Sequence, residues 1–212
     1  MKKGHFITFE GPDGSGKTTI STLVYEKLKH RGYDVVYTRE PGGIRIAEKI
    51  RDLILDPENT EMDAKTEALL YAASRRQHLV EKIIPNINKG KIVISDRFVD
   101  SSLAYQGVGR NIGIENVYNL NMFAIEGHLP ELTIFLDIDA SEGLKRISNR
   151  QYKDRLDQED LSFHLKVSSG YELIKERYKE RIVLFDATKS IDELSLEVTN
   201  YIDQWLKEHE QE

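Results

Sequence analysis

An α/β fold, with a five-stranded parallel sheet, helices on both faces and a short mobile lid, is what this 212-residue chain predicts. Three observations predict it. Five short apolar runs alternate with longer segments of helical period. A glycine-rich turn joins the first run to the first helical segment, and one stretch, 148–160, is almost wholly polar.

The apolar runs are 5–9, 34–37, 92–95, 132–136 and 182–185. Most of their residues are β-branched or aromatic and show little alternation, the mark of strands covered on both faces. Helical spacing appears at 17–30, 44–55, 63–88, 115–127, 140–149, 159–179 and 191–208. In the last of these, Leu194, Val198, Tyr201, Ile202 and Trp205 share one face. Strand–helix alternation implies parallel pairing through right-handed crossovers. The five prolines, Pro12, Pro41, Pro57, Pro85 and Pro130, sit at breaks in the pattern. With no repeat and no Pro/Gly-rich linker, residues 1–212 read as one domain with a lid at about 148–160.

Composition narrows the function. The chain has 30 Lys+Arg against 36 Asp+Glu, a net charge of −6. A general binder of nucleic acid or membrane needs a positive surplus, so neither partner is expected. Zero cysteines remove disulfides, thiolate metal sites and cysteine nucleophiles, and favour a reducing compartment. Met1-Lys2-Lys3 is followed by too short and polar a run for a secretory signal, so a cytoplasmic protein is expected.

Gly11-Pro12-Asp13-Gly14-Ser15-Gly16-Lys17-Thr18 matches G-x-x-x-x-G-K-[ST] between the first strand and first helix, and Thr19 follows it. Glycines turn successive N–H groups toward an anion, the helix adds its positive end, and Lys17 adds a full charge. Thr18 supplies the hydroxyl that ligates Mg²⁺ beside the phosphates. This P-loop says nucleotide without saying which. Asn88-Lys89-Gly90-Lys91 lacks the Asp of a GTPase base-reading segment, which weakens that class.

Asp96-Arg97 ends the third strand, where ligands bind in open α/β sheets. Asp96 fits the acid that holds Mg²⁺ through water, and Arg97 fits a second phosphate; a structural ion pair is the competing reading. Arg39-Glu40-Pro41-Gly42-Gly43 is a sharp turn after the second strand, and a plain turn leaves Arg39 unexplained. Arg51, on the next helix, reads equally as a solvated position. Tyr71 and Arg75 lie four residues apart on one helix face, suited to a base, though a core tyrosine beside a surface arginine has the same spacing. Ser101, Ser102, Tyr105 and Gln106 follow Asp96-Arg97; the serines suit caps, and Gln106 carries the paired donor and acceptor of a base reader. The polar stretch brings Arg150 and Arg155, with Arg146 just before it. A lid supplies charge of this kind at a transferring phosphoryl group, while Asp154, Asp157, Glu159 and Asp160 support a plain solvated run.

In this order, FEGPDGSGKTT, TREPGG, AASRRQH, SDRFVDSSLAYQG and KDRLDQED closely resemble bacterial thymidylate kinases. The resemblance implies a P-loop kinase core that phosphorylates dTMP to dTDP, with ATP as co-substrate and Mg²⁺ as cofactor, usually as a homodimer. It implies that Lys17 and the loop amides hold the ATP phosphates and that Asp13 faces the monophosphate and sugar. Arg39, Arg97 and, as helper, Arg51 would lie near the acceptor phosphate, and Glu40, Pro41, Ser101 and Ser102 would belong to the dTMP site. Tyr71 would stack on thymine, Arg75 and Gln106 contact the base edge, and Tyr105 pack on the deoxyribose. Arg150 and Arg155 match lid arginines of the subtype whose P-loop has no basic residue between Gly11 and Gly16. Two departures stand out: Ile44-Arg45 where many relatives have Thr-Pro, and Phe98 in place of Tyr or His. A kinase for UMP, CMP or dUMP and a catalytically inactive nucleotide-binding partner are the alternatives.

Overall fold

The computed structural model describes residues 3–148 and 154–209. Its sheet has the order β2-β3-β1-β4-β5, with every pair parallel. The strands are β1 (Phe6–Glu10), β2 (Val35–Arg39), β3 (Ile92–Asp96), β4 (Leu132–Asp137) and β5 (Ile182–Asp186). Each lies within a residue or two of its expected run, because a strand buried on both faces has a nearly continuous apolar signature. The α/β expectation is met.

Both faces are covered. On one, α1 (Lys17–His30) packs with α9 (Ile191–His209) over Ile7, Phe9, Ile94 and Ile134. On the other, Phe6, Val93 and Phe135 meet α6 (Ile114–Ile125), α8 (Leu161–Arg177) and α3 (Ala64–His78). Phe6 and Ile7 point to opposite faces because side chains alternate along a strand. Local signals set several helix starts. Asp63 accepts from Lys65 N and Thr66 N at 3.0 Å, and Ser190 and Glu193 bond each other's backbone N–H in a reciprocal cap before α9.

The expected long helix at 63–88 is broken into three pieces. α3 runs through a π-helical turn, Leu79–Ile83, into α4 (Ile84–Ile87), where Pro85 stands at the helix start. After β3 comes a segment without an expected helix: α5 (Val99–Ser102) continues as a π-helical run, Leu103–Gly109. That run packs closely on α8, where a side chain at Gly170 would approach Ala104 Cα at 3.1 Å. The remaining helices are α2 (Arg45–Leu55), packed on α3, and α7 (Ala140–Ser148).

The order of the strands decides where a ligand goes. From β1 the chain crosses to β2 on one side, and from β3 it crosses past β1 to β4 on the other. The crevice at such a reversal lies at the strands' carboxyl ends. There Phe9 is in register with Asp96, and Asp96 with Arg39. The phosphate loop, the Asp96-Arg97 turn and the Arg39 turn therefore open on one edge.

Candidate active site

One cleft at that edge gathers Asp13, Gly14, Gly16, Lys17, Thr18 and Thr19 with Arg39, Glu40, Pro41, Arg51, Tyr71, Arg75, Asp96, Arg97, Ser101, Ser102, Tyr105 and Gln106. Gly11, Pro12 and Ser15 complete the loop behind it. Arg150 lies outside the described residues. Arg155 is described, and it is not in the cleft wall.

The loop depends on glycine where it turns. Gly14 has φ +81°, and a Cβ there would lie 2.1 Å from the carbonyl oxygen of Gly143. Lys17 is buried and donates to Pro12 O at 2.7 Å. Burial, then the positive charge of Arg97, lowers its pKa to about 8. Thr18 Oγ1 donates to Asp96 Oδ2 at 2.5 Å, while Asp96 Oδ1 is buried without a partner among the described residues.

Arg97 occupies a conformation that few side-chain-bearing residues adopt, φ +71°. Such a residue is strained by roughly 1–3 kcal/mol, and contacts around it must hold it there. They do. Arg97 N donates to Phe9 O, and Ser95 Oγ donates to Arg97 O, both at 2.9 Å. The buried carboxylate of Glu10 accepts from Phe98 N at 2.7 Å and Ser101 Oγ at 2.6 Å. Burial, then Asp100, pushes the Glu10 pKa up to about 7. The turn aims the guanidinium at Asp13, with Ser101 Oγ at 3.0 Å and Tyr171 OH at 3.3 Å. Tyr105 OH donates to the other oxygen of Asp13. Burial opposes ionisation of Asp13, but Arg97 and Lys17 outweigh it and hold the carboxyl far below its usual range.

Arg39 and Arg51 both donate to Pro41 O, at 2.8 and 3.0 Å, and Arg39 also pairs with Glu48. The pKa of Arg51 is lowered by burial and then by Arg39, against the opposing pull of Glu48 and Asp154. Arg45, the residue in the departing turn, is exposed.

The Tyr71–Arg75–Gln106 side is bonded differently. Arg75 is 2% exposed and donates through Nε to Glu40 at 2.7 Å, through Nη1 to Ser102 and Asn121, and through Nη2 to Phe98 O at 3.0 Å. Four of its five N–H donors are thereby committed, which leaves one for a ligand. His78 links Glu40, at 2.9 Å, to Thr38, at 2.6 Å. Gln106 Nε2 donates to Glu67 Oε1 at 2.8 Å.

Arg155 departs from its expected setting. It is 5% exposed, donates to Ile54 O at 2.8 Å and pairs with the buried carboxylate of Glu67 at 2.6 Å. The described end of the polar stretch is thus docked on α2 and α3 rather than solvated, and Leu156 packs on the core. Sequence reading also passed over Glu10, Glu67, His78, Asn121, Arg110 and Tyr171. Glu10 and His78 stand inside quoted motifs. Glu67 gives no signal, since an acid in a first helical turn ordinarily faces water. Arg146 bonds Gly14 O at 3.4 Å and Ala187 O at 3.1 Å, joining the loop to the segment after β5.

A family model described as thymidylate kinase matches residues 9–198. The chain is 58% identical over 194 residues to the thymidylate kinase of Geobacillus sp. (strain WCH70), covering 91% of this chain and 92% of that one. It is 53% identical over 204 residues to that of Clostridium novyi (strain NT), with coverage of 95% and 100%. The crystal structure of thymidylate kinase from Ehrlichia chaffeensis superimposes with a TM-score of 0.77 at 35% identity, over 95% of this chain and 99% of that one. Motif order, strand order and these likenesses agree, and the chain belongs to the thymidylate kinase family.

Proposed function

We propose that the chain transfers the γ-phosphoryl group of ATP to the 5′-phosphate of dTMP, releasing dTDP and ADP, on the way to dTTP. The observation that carries this reading is a single cleft holding a P-loop at one end and the Tyr71–Arg75–Gln106 group at the other, with Asp13–Arg97–Tyr105 between. The acceptor oxygen is already ionised, so positioning and charge neutralisation do the catalysis, without a strong base. Lys17 and the amides of the loop grip the ATP phosphates. Arg39, Arg51 and Arg97 hold the acceptor phosphate, and the Asp13 carboxylate orients Arg97. Tyr71 stacks on the base, and Tyr105, tied to Asp13, fills the space a 2′-hydroxyl needs.

Mg²⁺ fits the residues present: Thr18 offers a hydroxyl, and the partnerless Oδ1 of Asp96 offers a buried carboxylate oxygen beside it. When bound, the ion neutralises charge on the phosphates. Arg150 carries the lid's catalytic charge, while Arg155 anchors the lid to Glu67 and Ile54.

A homodimer through α3 and α6 is part of this proposal. Leu69, 56% exposed, lines a largely apolar groove with Ala68, Ile112 and Leu120, and Phe123 on α6 is 87% exposed. Phe123→Glu should shift sedimentation to the monomer; a parent that already sediments as a monomer would defeat the idea. No helix among the described residues is long and apolar enough to cross a membrane. The cysteine-free sequence supports work in the cytoplasm.

A coupled ADP-release assay with ATP and dTMP, UMP, CMP or dUMP tests the reaction. dTMP should far outrun UMP. No ADP release with dTMP ends the reading, and equal rates with UMP end the sugar-screening role of Tyr105.

A further inference from the structure

We propose that Glu67 is a specificity-determining positioning residue. By holding the amide nitrogen of Gln106, it turns the Gln106 carbonyl oxygen to the base end of the cleft, and so selects a pyrimidine that presents an N–H at ring position 3. The inference rests on the dTMP reading and adds a reason for its base preference.

Glu67 is fully buried on α3. Its carboxylate accepts from Arg110 Nε at 3.1 Å, from Arg155 at 2.6 Å and from Gln106 Nε2 at 2.8 Å. Burial opposes its ionisation, but the bonds and charge of Arg110, with those of Gln106 and Arg155, outweigh burial and lower its pKa. An ionised carboxylate has no proton to give. The amide facing it must therefore offer its NH₂, and the carbonyl oxygen takes the opposite side. Gln106 lines the cleft with Tyr71 and Arg75, and its carbonyl oxygen accepts no hydrogen bond from the described residues.

An acceptor fixed there suits the N3–H of thymine. Cytosine carries a lone pair at N3 and meets it acceptor to acceptor. A site built to bond an N–H discriminates strongly against an analogue lacking it, because its own buried polar atom is left unpaired. Neutral Glu67→Gln removes the constraint: an amide there can donate or accept, so Gln106 is free to flip.

The test measures the affinities of dTMP and dCMP, the latter by competition, for the parent and for E67Q, R155M and E67Q/R155M. In E67Q the dTMP-over-dCMP ratio should fall by roughly tenfold or more, through weaker dTMP and stronger dCMP binding. R155M keeps Glu67 ionised through Arg110 and should keep the parent's ratio. The double variant removes the guanidinium that E67Q leaves unpaired, so it reads the same loss if E67Q alone folds poorly. An unchanged ratio in both E67Q variants overturns the proposal. So does an equal fall in R155M, which assigns the effect to the lid anchor. A parent without preference for dTMP over dCMP instead overturns the substrate reading itself.

Discussion

At the phosphate end of the cleft, burial and then Arg97 lower the pKa of Lys17, and burial and then Arg39 lower that of Arg51. At the base end, Arg75 sits in a closed set of partners, and Gln106 is held by Glu67. In the proposed reaction the first arrangement presents buried positive charge to an arriving anion, which favours affinity and charge neutralisation in the transition state. The second is settled before any ligand arrives. It contributes selectivity, since fixed donors and acceptors accept one pattern and reject others. In the proposed reaction an arginine at one end is thus a ligand-binding charge; at the other, an arginine also holds the protein together.

The largest expected effect tests the phosphate end. Arg150→Ala should lower kcat by about 10³-fold or more, the size of effect a transition-state arginine has, with little change in KM for dTMP. An unchanged kcat removes Arg150 from the lid role.

Next in size is a contrast between the two ends. Arg75→Met leaves Glu40 buried beside His78 without its guanidinium, and should destabilise folding by roughly 3–5 kcal/mol in urea titration. Arg51→Met removes one charge from a crowded corner and should change stability by less than about 1 kcal/mol while weakening dTMP binding. Equal stability losses in the two variants would erase the distinction between the ends.

The same distinction explains what was legible in the sequence. The phosphate end is written largely in motifs, where glycines, one lysine and strand-end charges stand at fixed spacing. The loop, Arg39, Asp96 and Arg97 could therefore be named before any coordinates, while Glu10 and Tyr171, which brace the Arg97 turn, could not. The strands were legible because burial on both faces leaves an apolar run. The base end is written across the chain. Glu67 meets Gln106, Arg110 and Arg155, partners 39, 43 and 88 residues away. Asp100 likewise meets Arg181, buried and 81 residues distant. In a single sequence each of these charges looks like a solvated helix position or part of a polar lid. Arg155 shows the difficulty best: its neighbours are polar, yet its own place is interior. The π-helical run at 103–109 was equally hidden, because its side chains follow neither the helical nor the strand period.

The smallest effect comes from Lys17, and it has opposite signs for two measurements. The pKa near 8 belongs to the protein without nucleotide, and burial is its largest cause. ATP phosphates favour the charged amine, so ATP affinity should be level below about pH 8 and fall by up to about tenfold per pH unit above it. The unfolded chain keeps the ordinary lysine pKa of 10.5, so between about 8 and 10.5 it binds more protons than the folded one. Folding stability attributable to Lys17 must then rise with pH across the window in which ATP affinity falls. Lys17→Arg stays charged throughout and should flatten both curves. ATP titrations from pH 6.5 to 9.5, paired with urea melts, read the two slopes. Parallel slopes, or an ATP curve level to pH 9.5, would mean that the phosphate end does not hold its charge against its own interest, and the contrast with the base end would fail at its strongest point.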